Sequence, residues 1–297
     1  MCTEPAVVYQ RSIHRHLCGH HFTTEIERRV ADTIKLRRMI SPGDRVAVAL
    51  SGGKDSTALL LLLSRLLPAW KKVRLVAITI DEGIDGYREA TVRAAEQIAS
   101  RLDIEHHCIS FPDLFGDSLD VLLEGRETQA CSICGILRKK ALVIGAGQAG
   151  ATKLATGHNL DDEAQSVFMN VLRGDLPRLV RNSGAESIGK FIPRIKPLSL
   201  ISEKDIAVYL VLRNEWTELP ECPYTRYALR REVRSFLSRF EFKHPGTMLH
   251  LIESKEKIEH LCAGSVISAP FRSCRICGVP SSGDLCQVCL LMKSLGR

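Results

Sequence analysis

A glycine-containing loop between a buried strand and a helix constrains the fold of this chain more than any other feature. The loop is Ser-Gly-Gly-Lys-Asp-Ser at residues 51–56; the apolar residues 45–50 before it predict a strand, and the leucine-rich residues 56–67 predict a helix. Two adjacent glycines let the backbone turn tightly and approach an anion, and the helix start directs free N–H groups and its positive dipole end at it. The loop therefore predicts a phosphate-binding site at the end of a strand.

The alternation of strand and helix continues well beyond this loop. Further strands are predicted at residues 74–80, 104–110 and 153–156, and further helices at residues 87–102, 136–148 and 161–172. This order predicts an α/β fold with a parallel, doubly wound sheet and right-handed crossovers. Ligands of such sheets bind at the carboxyl ends of the strands. We therefore expect one site to be formed by the polar segments that follow predicted strand ends, residues 51–56, 81–83 and 156–162.

The chain after Pro193 has a different character. Residues 202–213 predict a helix capped by Ser202, and residues 227–260 predict a basic helical extension. The net charge of the chain is +7, which is typical either of a protein with a polyanionic partner or of ordinary solubility charge. The arginines of the extension either face a phosphate backbone or form a solvated helix face; they are Arg226, Arg230, Arg231, Arg234 and Arg239.

The eleven cysteines indicate metal binding in a reducing compartment, because several form pairs with two residues between them. Cys274-x-x-Cys277 and Cys286-x-x-Cys289 supply four thiolates in two tight turns, which predicts a closed tetrahedral zinc site. Cys108 and Cys262 are expected to be small buried apolar residues. No segment approaches the ~18 apolar residues of a membrane span, and no signal pattern begins the chain, so we expect a cytoplasmic protein.

Three further cysteines lie in the middle of the chain. Cys131-Ser-Ile-Cys134 opens a predicted helix, and Cys222 lies between two prolines far away in sequence. A thioredoxin-like redox pair would follow the first strand, and a zinc site would need a fourth ligand that is not evident nearby. Three thiolates fit an iron–sulfur cluster with one iron free for another ligand. Buried structural cysteines are the alternative.

The phosphate loop does not fit the Walker A pattern. Val48 stands where the first glycine is needed, and Asp55 where Ser or Thr is needed. The loop instead resembles the SGGxDS signature of the PP-loop ATP pyrophosphatases, which cleave ATP between its α and β phosphates and transfer AMP to an oxygen. A glycine-rich turn with an incidental lysine is the alternative interpretation.

The order of four motifs makes the resemblance more specific. SGGKDS, CSICG, TGHNLDD and CPY, flanked by cysteines at both ends, resemble the tRNA 2-thiouridine synthetases of the TtuA group, their TtcA-like relatives and the archaeal and eukaryotic cytoplasmic tRNA 2-thiolation proteins. The resemblance covers nearly the whole chain. It implies a PP-loop fold of the Rossmann-like class, ATP and Mg²⁺ as ligands, and a [4Fe–4S] cluster whose free iron carries sulfide.

The resemblance also implies roles for individual residues. Cys131, Cys134 and Cys222 would hold the cluster, Lys54 would contact the phosphates, and Asp55 would help to bind Mg²⁺. The implied catalytic residues are Lys54, Asp55, Asp161, Cys131, Cys134 and Cys222. The implied ATP-binding residues are Ala49, Ser51, Gly52, Gly53, Lys54, Asp55, Ser56, Ile80, Asp81, Gly157, His158 and Asp161. From the residues alone, helix-cap residues are the alternative interpretation of His158 and Asp161.

The N-terminal module departs from the family pattern. The family has a Cys-x-x-Cys pair there, whereas Cys2 is followed by Pro5, so that only Cys2, Cys18 and His21 match a zinc site. His14, His16 or His20 would have to replace the missing ligand, or the site binds no metal. We expect four regions: an N-terminal zinc-finger-like module (1–25), a PP-loop ATPase catalytic domain (26–215), a helical extension with Cys222 (216–265) and a C-terminal zinc ribbon (266–297).

The reaction that the resemblance implies is ATP-dependent 2-thiolation of a tRNA uridine. ATP adenylates O2 of the uridine, and sulfide then displaces AMP, with sulfur supplied by a ubiquitin-like thiocarboxylate carrier protein or by inorganic sulfide. Leu172-Arg-Gly-Asp175 resembles the wobble-acting branch more than the T-loop branch, and homodimers are common in the family. Two alternatives stay open: a PP-loop enzyme that adenylates a small molecule, and a non-catalytic, RNA-binding zinc protein regulated by a nucleotide.

Overall fold

The structure is a computed structural model that describes residues 2–10, 14–70, 72–180, 192–227, 230–262, 272–281 and 283–296. A short antiparallel hairpin leads into a long helix; these elements are β1 (Val8–Gln10), β2 (Arg15–Leu17) and α1 (Gly19–Leu36). The part that forms the sheet consists of β3 (Arg45–Ala49), α2 (Lys54–Leu66), β4 (Arg74–Asp81), α3 (Arg88–Arg101), β5 (His106–Ser110), α4 (Phe111–Phe115), α5 (Leu119–Leu122), α6 (Ala130–Gln148), β6 (Lys153–Ala155), α7 (Leu160–Leu172), α8 (Leu176–Leu179), β7 (Arg194–Ile195) and α9 (Glu203–Leu212). The rest of the chain adds α10 (Arg230–Lys243), α11 (Thr247–Cys262), β8 (Arg272–Ser273), β9 (Pro280–Ser281) and α12 (Gln287–Ser294).

The central sheet is parallel throughout, in the order β5-β4-β3-β6-β7. The chain winds from β3 towards β5 on one side and from β6 to β7 on the other, so the strand order reverses between β3 and β6. Such a reversal opens a crevice at the carboxyl ends of the strands. The doubly wound α/β fold predicted from the sequence is thus confirmed, and its crevice lies between the loops that follow β3 and β6.

Helices cover both faces of the sheet because successive strand residues point to opposite sides. Val46 and Val48 of β3 are fully buried against α1, α2, α3 and α9, whereas Ala47 packs with α6 on the other face. A separate, smaller core joins α7 to α10 and α11 through Val233, Leu237 and Met248. The extension that follows the sheet is therefore attached to the helix that begins beside the crevice.

Most elements lie where the sequence predicts them, within a few residues at each end. The predicted extension of residues 227–260 is two helices, α10 and α11, separated by Pro245 and Gly246. The prediction that Cys108 and Cys262 are buried is wrong: Cys108 is exposed and Cys262 is half-buried. Cys108 lies on β5, which is an edge strand of the sheet and is therefore less completely covered than the strands beside it.

Several short elements and one long helix have no counterpart in the sequence analysis; β7 and α1 are examples. β7 has only two residues, too few for a periodic pattern. α1 has the i, i+4 spacing of a buried helix face, and its apolar residues Phe22, Ile26, Val30 and Ile34 are all fully buried. The helix crosses residue 25, where the N-terminal metal module is expected to end. Within the described residues, no helix is long and apolar enough to cross a bilayer.

The burial of α1 against the sheet leads to a stability prediction. Ile34 is fully buried, whereas Leu36, two residues further along the same helix, is 80% exposed. We expect Ile34→Ala to lower the free energy of unfolding by about 2–5 kcal/mol and Leu36→Ala to change it by less than about 0.5 kcal/mol. Urea denaturation of the two variants measures the difference; equal effects would show that α1 is not part of the main core.

Candidate active site

The loop after β3 is held in a fixed shape by its two serines. The Ser51 backbone N–H donates to Ser56 Oγ (3.1 Å), the two hydroxyl oxygens lie 3.0 Å apart, and Ser56 Oγ donates to the Gly53 carbonyl (2.9 Å). Among the described residues, no side chain caps α2, which begins at Lys54. The N–H groups of its first turn are therefore available to a phosphate, as predicted for this loop.

Gly52 is required by the backbone at this loop. Its φ is +86°, and a Cβ there would lie 2.0 Å from the Thr91 carbonyl oxygen at the start of α3. Gly53 has φ −73°, and a Cβ there would meet only Ser51 Oγ at 3.6 Å. The first glycine thus allows close packing of the loop on α3, and the second leaves space above the loop.

The segment after β6 approaches the same helix start. A Cβ on Gly157 would lie 3.0 Å from the Ser56 backbone nitrogen, so the two backbones are nearly in contact. Asn159 Nδ2 donates to Asp55 Oδ1 (2.9 Å). Asn159 also forms a capping box for α7 with Asp162, because each side chain accepts the other residue's backbone N–H. The expected convergence of residues 51–56 and 156–162 is therefore present.

The helix-cap interpretation of His158 and Asp161 does not describe α7, because Asn159 and Asp162 fill that role. His158 Nδ1 lies 2.9 Å from Thr156 Oγ1, and Asp161 Oδ2 accepts the backbone N–H of Glu203 (2.8 Å) at the start of α9. Burial and the nearby Lys196 together lower the pKa of His158 to about 4, so the ring is neutral at physiological pH. Burial raises the pKa of Asp161.

Lys54 has two carboxylate partners. Its Nζ lies 2.9 Å from Asp55 Oδ2 and 2.7 Å from Glu203 Oε1, and Glu203 also pairs with Arg234 of α10. Burial lowers the pKa of Lys54, but these carboxylates more than offset it and the pKa is raised, so the side chain carries a full charge. Sequence reasoning did not identify Glu203, because the residue lies about 150 positions from Lys54 and only the fold brings the two together.

The segment after β4 completes the edge of the crevice. Asp81 Oδ1 accepts a hydrogen bond from the Gly83 backbone N–H (2.9 Å). Gly83 has φ +67°, and a Cβ on this residue would lie 2.7 Å from Ser118 Cβ. The Ile80 carbonyl accepts a hydrogen bond from Arg88, whose guanidinium also donates to the Ser51 carbonyl (3.2 Å). Arg88 therefore links the ends of β3 and β4.

The three central cysteines lie at the start of α6 and on the segment that crosses it. Cys131 is exposed, Cys134 is buried, and Cys222 is half-buried and packs with Tyr224 beside the core of α6. Cys131 Sγ donates to the Tyr224 carbonyl at 3.8 Å. Burial raises the pKa of Cys134 to about 11, opposed by Arg138, which donates to its sulfur at 3.0 Å.

These cysteines suit a cluster better than a single metal ion. The ligands of one ion must all lie close together, as Cys274, Cys277, Cys286 and Cys289 do, with ligand atoms within 4.8 Å of one another. Among the described residues, Cys131, Cys134 and Cys222 do not form such a compact group. The ligands of a multi-iron cluster bind different irons and lie further apart, so the three thiols fit a cluster.

Two compact groups of ligands lie near the chain ends. In the C-terminal group, hydrogen bonds from the backbone N–H groups of Cys277 and Cys286 lower the pKa of Cys274 to about 6, which favours the thiolate that a metal needs. The N-terminal group is Cys2, Cys18 and His21, with the two sulfurs 3.7 Å apart and His21 Nδ1 3.1 Å from Cys18 Sγ. Both groups could hold a metal ion.

The proposed replacement ligands are not in the N-terminal group. His14 Nδ1 lies 3.0 Å from Tyr9 Oη, and the His16 ring packs on the Tyr9 ring at 4.6 Å between centroids. His20 packs against the His21 ring but supplies no atom to the group that the described residues form. Among the residues that the structure describes, this group therefore has three ligands.

The C-terminal module lies directly on the helix that carries two of the central cysteines. Val288, Leu291, Met292 and Leu295 pack against the core of α6. Lys140 of α6 donates to Cys277 Sγ (3.5 Å), which places a positive charge beside the thiolates. The sequence does not predict this contact, which joins the two cysteine-bearing regions of the chain.

Comparison with known proteins places this geometry in a class. A family model described as a PP-loop domain matches residues 21–238, about three quarters of the chain. The matched region contains the phosphate loop, the segment after β6, and Cys131, Cys134 and Cys222. The fold and the loop thus define a PP-loop protein.

Individual relatives define the family more closely. The tRNA 2-thiolation protein NcsA of Haloferax volcanii is 36% identical over 99% of this chain and 98% of its own length. The cytoplasmic tRNA 2-thiolation protein 1 of Bos taurus is 38% identical over 95% of this chain and 82% of its own. The U34-tRNA thiolase NcsA of Methanococcus maripaludis, solved with its [4Fe–4S] cluster, superposes with a TM-score of 0.87 at 32% identity, covering 100% of this chain and 95% of that one. The chain belongs to the family of the tRNA 2-thiolation proteins.

The two glycines of the phosphate loop provide a matched test of this geometry. We expect Gly52→Ala to lower the free energy of unfolding by more than about 2 kcal/mol, because positive φ alone costs a non-glycine residue roughly 1–2 kcal/mol and the Thr91 carbonyl is in the way. Gly53→Ala should change it by less than about 1 kcal/mol. Urea unfolding of the nucleotide-free proteins measures both; similar losses would contradict the described loop.

Proposed function

We propose that this chain is an ATP-dependent tRNA uridine 2-sulfurtransferase that forms AMP and pyrophosphate. The observation that supports it most strongly is the arrangement of the PP-loop and three cysteines around one end of the sheet. Sulfur replacement at a carbonyl carbon needs both, because the oxygen is a poor leaving group until it is adenylated. The names of the relatives support tRNA as the substrate and a [4Fe–4S] cluster as the group bound by the cysteines.

The phosphate loop has the activation role in this proposal. ATP binds with its phosphates at the start of α2, and Lys54 turns from its carboxylate partners towards the charge that develops on the departing pyrophosphate. Asp55 would hold Mg²⁺, which supplies further charge stabilisation, with Asp161 as the second carboxylate of the site. Ala49, Ile80, Asp81, Gly157 and His158 line the nucleotide. The neutral His158 ring suits this role, because it adds no charge beside the phosphates.

The three cysteines have the delivery role. Cys131, Cys134 and Cys222 would hold the [4Fe–4S] cluster, which supplies the sulfur atom that replaces O2 of the uridine. Their own contribution is to leave one iron without a protein ligand and, through the burial of Cys134, to limit water on one side of the cluster. A thiocarboxylate carrier protein or inorganic sulfide replenishes the sulfur.

α10 is the proposed contact for the tRNA. It carries five basic and two acidic residues, and Arg230 and Arg234 point to the crevice, where they contact Ser166 and Glu203. On the same helix, the exposed ring of Phe236 stacks on Phe240 at 5.8 Å and on Phe168 of α7 at 5.5 Å, so that these rings form a partly exposed aromatic stack. Unstacked bases bind to such rings, and arginines contact phosphates. Arg231 and Arg239 belong to the same surface; the side chain of Arg226 lies outside the described residues.

The remaining assignments concern specificity, location and metals. We propose the wobble uridine as the target, as in the named U34 thiolase, a cytoplasmic location, as in the named relatives, and a homodimer. We also propose that both compact ligand groups bind zinc, since thiolates and imidazole suit this ion. We keep the proposed region boundaries at residues 215 and 265, whereas the proposed boundary at residue 25 falls inside α1.

Replacing the cluster cysteines tests the proposed sulfur delivery. In anaerobically reconstituted protein, we expect Cys134→Ala and Cys222→Ala to reduce 2-thiouridine formation more than about 100-fold, because each would remove a cluster ligand. The matched control is Cys108→Ser, an exposed cysteine on β5, which should keep the wild-type rate. Mass spectrometry of nucleosides from the tRNA measures the product.

Three results would decide between the alternatives. Wild-type rates in both cysteine variants would reject the cluster role. Pyrophosphate release that is the same with and without tRNA would favour a small-molecule substrate. Tight, salt-dependent tRNA binding without any pyrophosphate release would indicate a non-catalytic RNA-binding protein.

Metal analysis tests the two zinc sites separately. We expect about two zinc ions per chain, one of which is lost in Cys277→Ser and the other in Cys2→Ser. Chelation should lower the melting temperature of the wild-type protein, because a bound metal stabilises the folded state. Inductively coupled plasma mass spectrometry gives the stoichiometry; one zinc in the wild type that persists in Cys2→Ser would reject the N-terminal site.

A further inference from the structure

A line of charged side chains connects the phosphate loop to the central cysteines. At its centre is Glu82, the residue after β4, whose side chain is only 3% exposed. Its two carboxylate oxygens lie 2.6 Å from the Nε atoms of two different arginines, Arg88 and Arg138. The Arg88 contact is an ion pair without hydrogen-bond geometry, since Glu82 Oε2 and Arg88 Nε have no hydrogen-bond partner among the described residues. Carboxylates are rarely buried unless they are paired, and this one is shared between two guanidinium groups.

Arg88 is the end of this line at the nucleotide site. Its side chain is 4% exposed, and its guanidinium donates to the carbonyls of Ser51 and Ile80 and to Thr91 Oγ1. Ser51 and Ile80 are both expected to contact ATP. A change in the loop that moves either carbonyl must therefore alter the hydrogen bonds of Arg88, because no water is available to replace them at a buried guanidinium.

Arg138 is the end of the line at the cysteine site. It lies on α6, one helical turn after Cys134, and its guanidinium donates to Cys134 Sγ (3.0 Å) while its Nε pairs with Glu82. About half of this side chain is exposed, in contrast to Arg88. Without Glu82, the Arg138 side chain could turn to solvent, so the carboxylate fixes the guanidinium on the sulfur.

We infer that Glu82 is a positioning residue that couples the phosphate loop to the sulfur of Cys134 through Arg88 and Arg138. The inference rests on the proposed function only in taking the two ends as the ATP and cluster sites. A guanidinium shared between a carboxylate and backbone carbonyls has few alternative arrangements, so a shift at one end changes the geometry at the other. Occupation of either site then changes affinity at the other, and the coupling is reciprocal.

Nucleotide affinity measured with and without the cluster tests the coupling. The probe is the non-hydrolysable analogue α,β-methylene-ATP, titrated by calorimetry into the full chain as the apoprotein and after anaerobic reconstitution. In the wild type, we expect the two dissociation constants to differ about fivefold or more. In Arg138→Gln, both ligands should still bind, but the difference should fall below about twofold.

Further variants separate positioning from folding. Glu82→Gln leaves two guanidinium groups with a neutral partner and is expected to destabilise the protein, so Arg138→Gln, at a half-exposed position, is the primary variant. Arg138→Lys keeps the charge but cannot contact Glu82 and Cys134 at the same time. It should recover part of the difference between the dissociation constants of the two forms. Lys139→Gln, the neighbouring residue on α6, is the control and should behave as the wild type.

The shift of the cluster's visible or electron paramagnetic resonance spectrum on addition of the analogue is a second readout. It should be present in the wild type and in Lys139→Gln and absent in Arg138→Gln. Equal dissociation constants for the two wild-type forms, or an undiminished difference in Arg138→Gln, would overturn the coupling, even if the wild type thiolates tRNA. Failure of both wild-type forms to bind the analogue would overturn the proposed function as well.

Discussion

The near contact between two loop backbones at the switch point of the sheet is the constraint on which the site depends. The loop after β3 can meet the segment after β6 because Gly157 has no side chain where it passes the start of α2. Asn159 then reaches Asp55, and its capping box fixes where α7 begins. Since α7 carries α10 and α11 on its outer side, this contact also determines where the basic extension lies relative to the crevice.

Burial and neighbouring charges shift the pKa values of the ionisable groups around this crevice in different directions. Asp161 is buried, which raises its pKa, whereas Asp55 contacts the amide group of Asn159 and the ammonium group of Lys54. Lys54 keeps its charge because two carboxylates face it. His158 stays neutral because it is buried beside cationic residues. The site can therefore offer the positive charge of Lys54 to a phosphate without a second positive charge from the imidazole.

α6 connects the two kinds of cysteine site. Its first turns carry Cys131 and Cys134, and its outer face supports the C-terminal module through α12 and through Lys140. A metal in that module would stabilise a short segment that has only a small core of its own. It would thereby keep α12 packed against α6. This arrangement gives a structural reason for two cysteine-bearing regions in one chain.

Much of the fold and part of the site could be predicted from the sequence, and the reason differs between elements. The strands of the sheet are short apolar runs, and the loops that follow them carry glycine, lysine and aspartate, so the local pattern was sufficient. Glu203, Arg88 and Arg138 could not be assigned roles, because their partners are distant in sequence and only the topology brings them together. α1 was overlooked because Cys18, directly before it, and its two histidines suggested a separate module, although Phe22 to Ile34 have helical spacing. Cys108 was expected to be buried because periodicity does not show which strand is at the edge.

The account rests on the claim that the ATP chemistry activates the oxygen that sulfur replaces. Transfer of oxygen isotope from the tRNA to AMP tests this directly: a tRNA with ¹⁸O at O2 of the target uridine is incubated with ATP, a sulfide source and the reconstituted protein. If O2 attacks the α phosphate and later leaves with AMP, each AMP formed with a 2-thiouridine carries one ¹⁸O in its phosphate. Unlabelled AMP accompanying 2-thiouridine would contradict the account, because it would mean that water, and not the uridine, had received the adenylyl group.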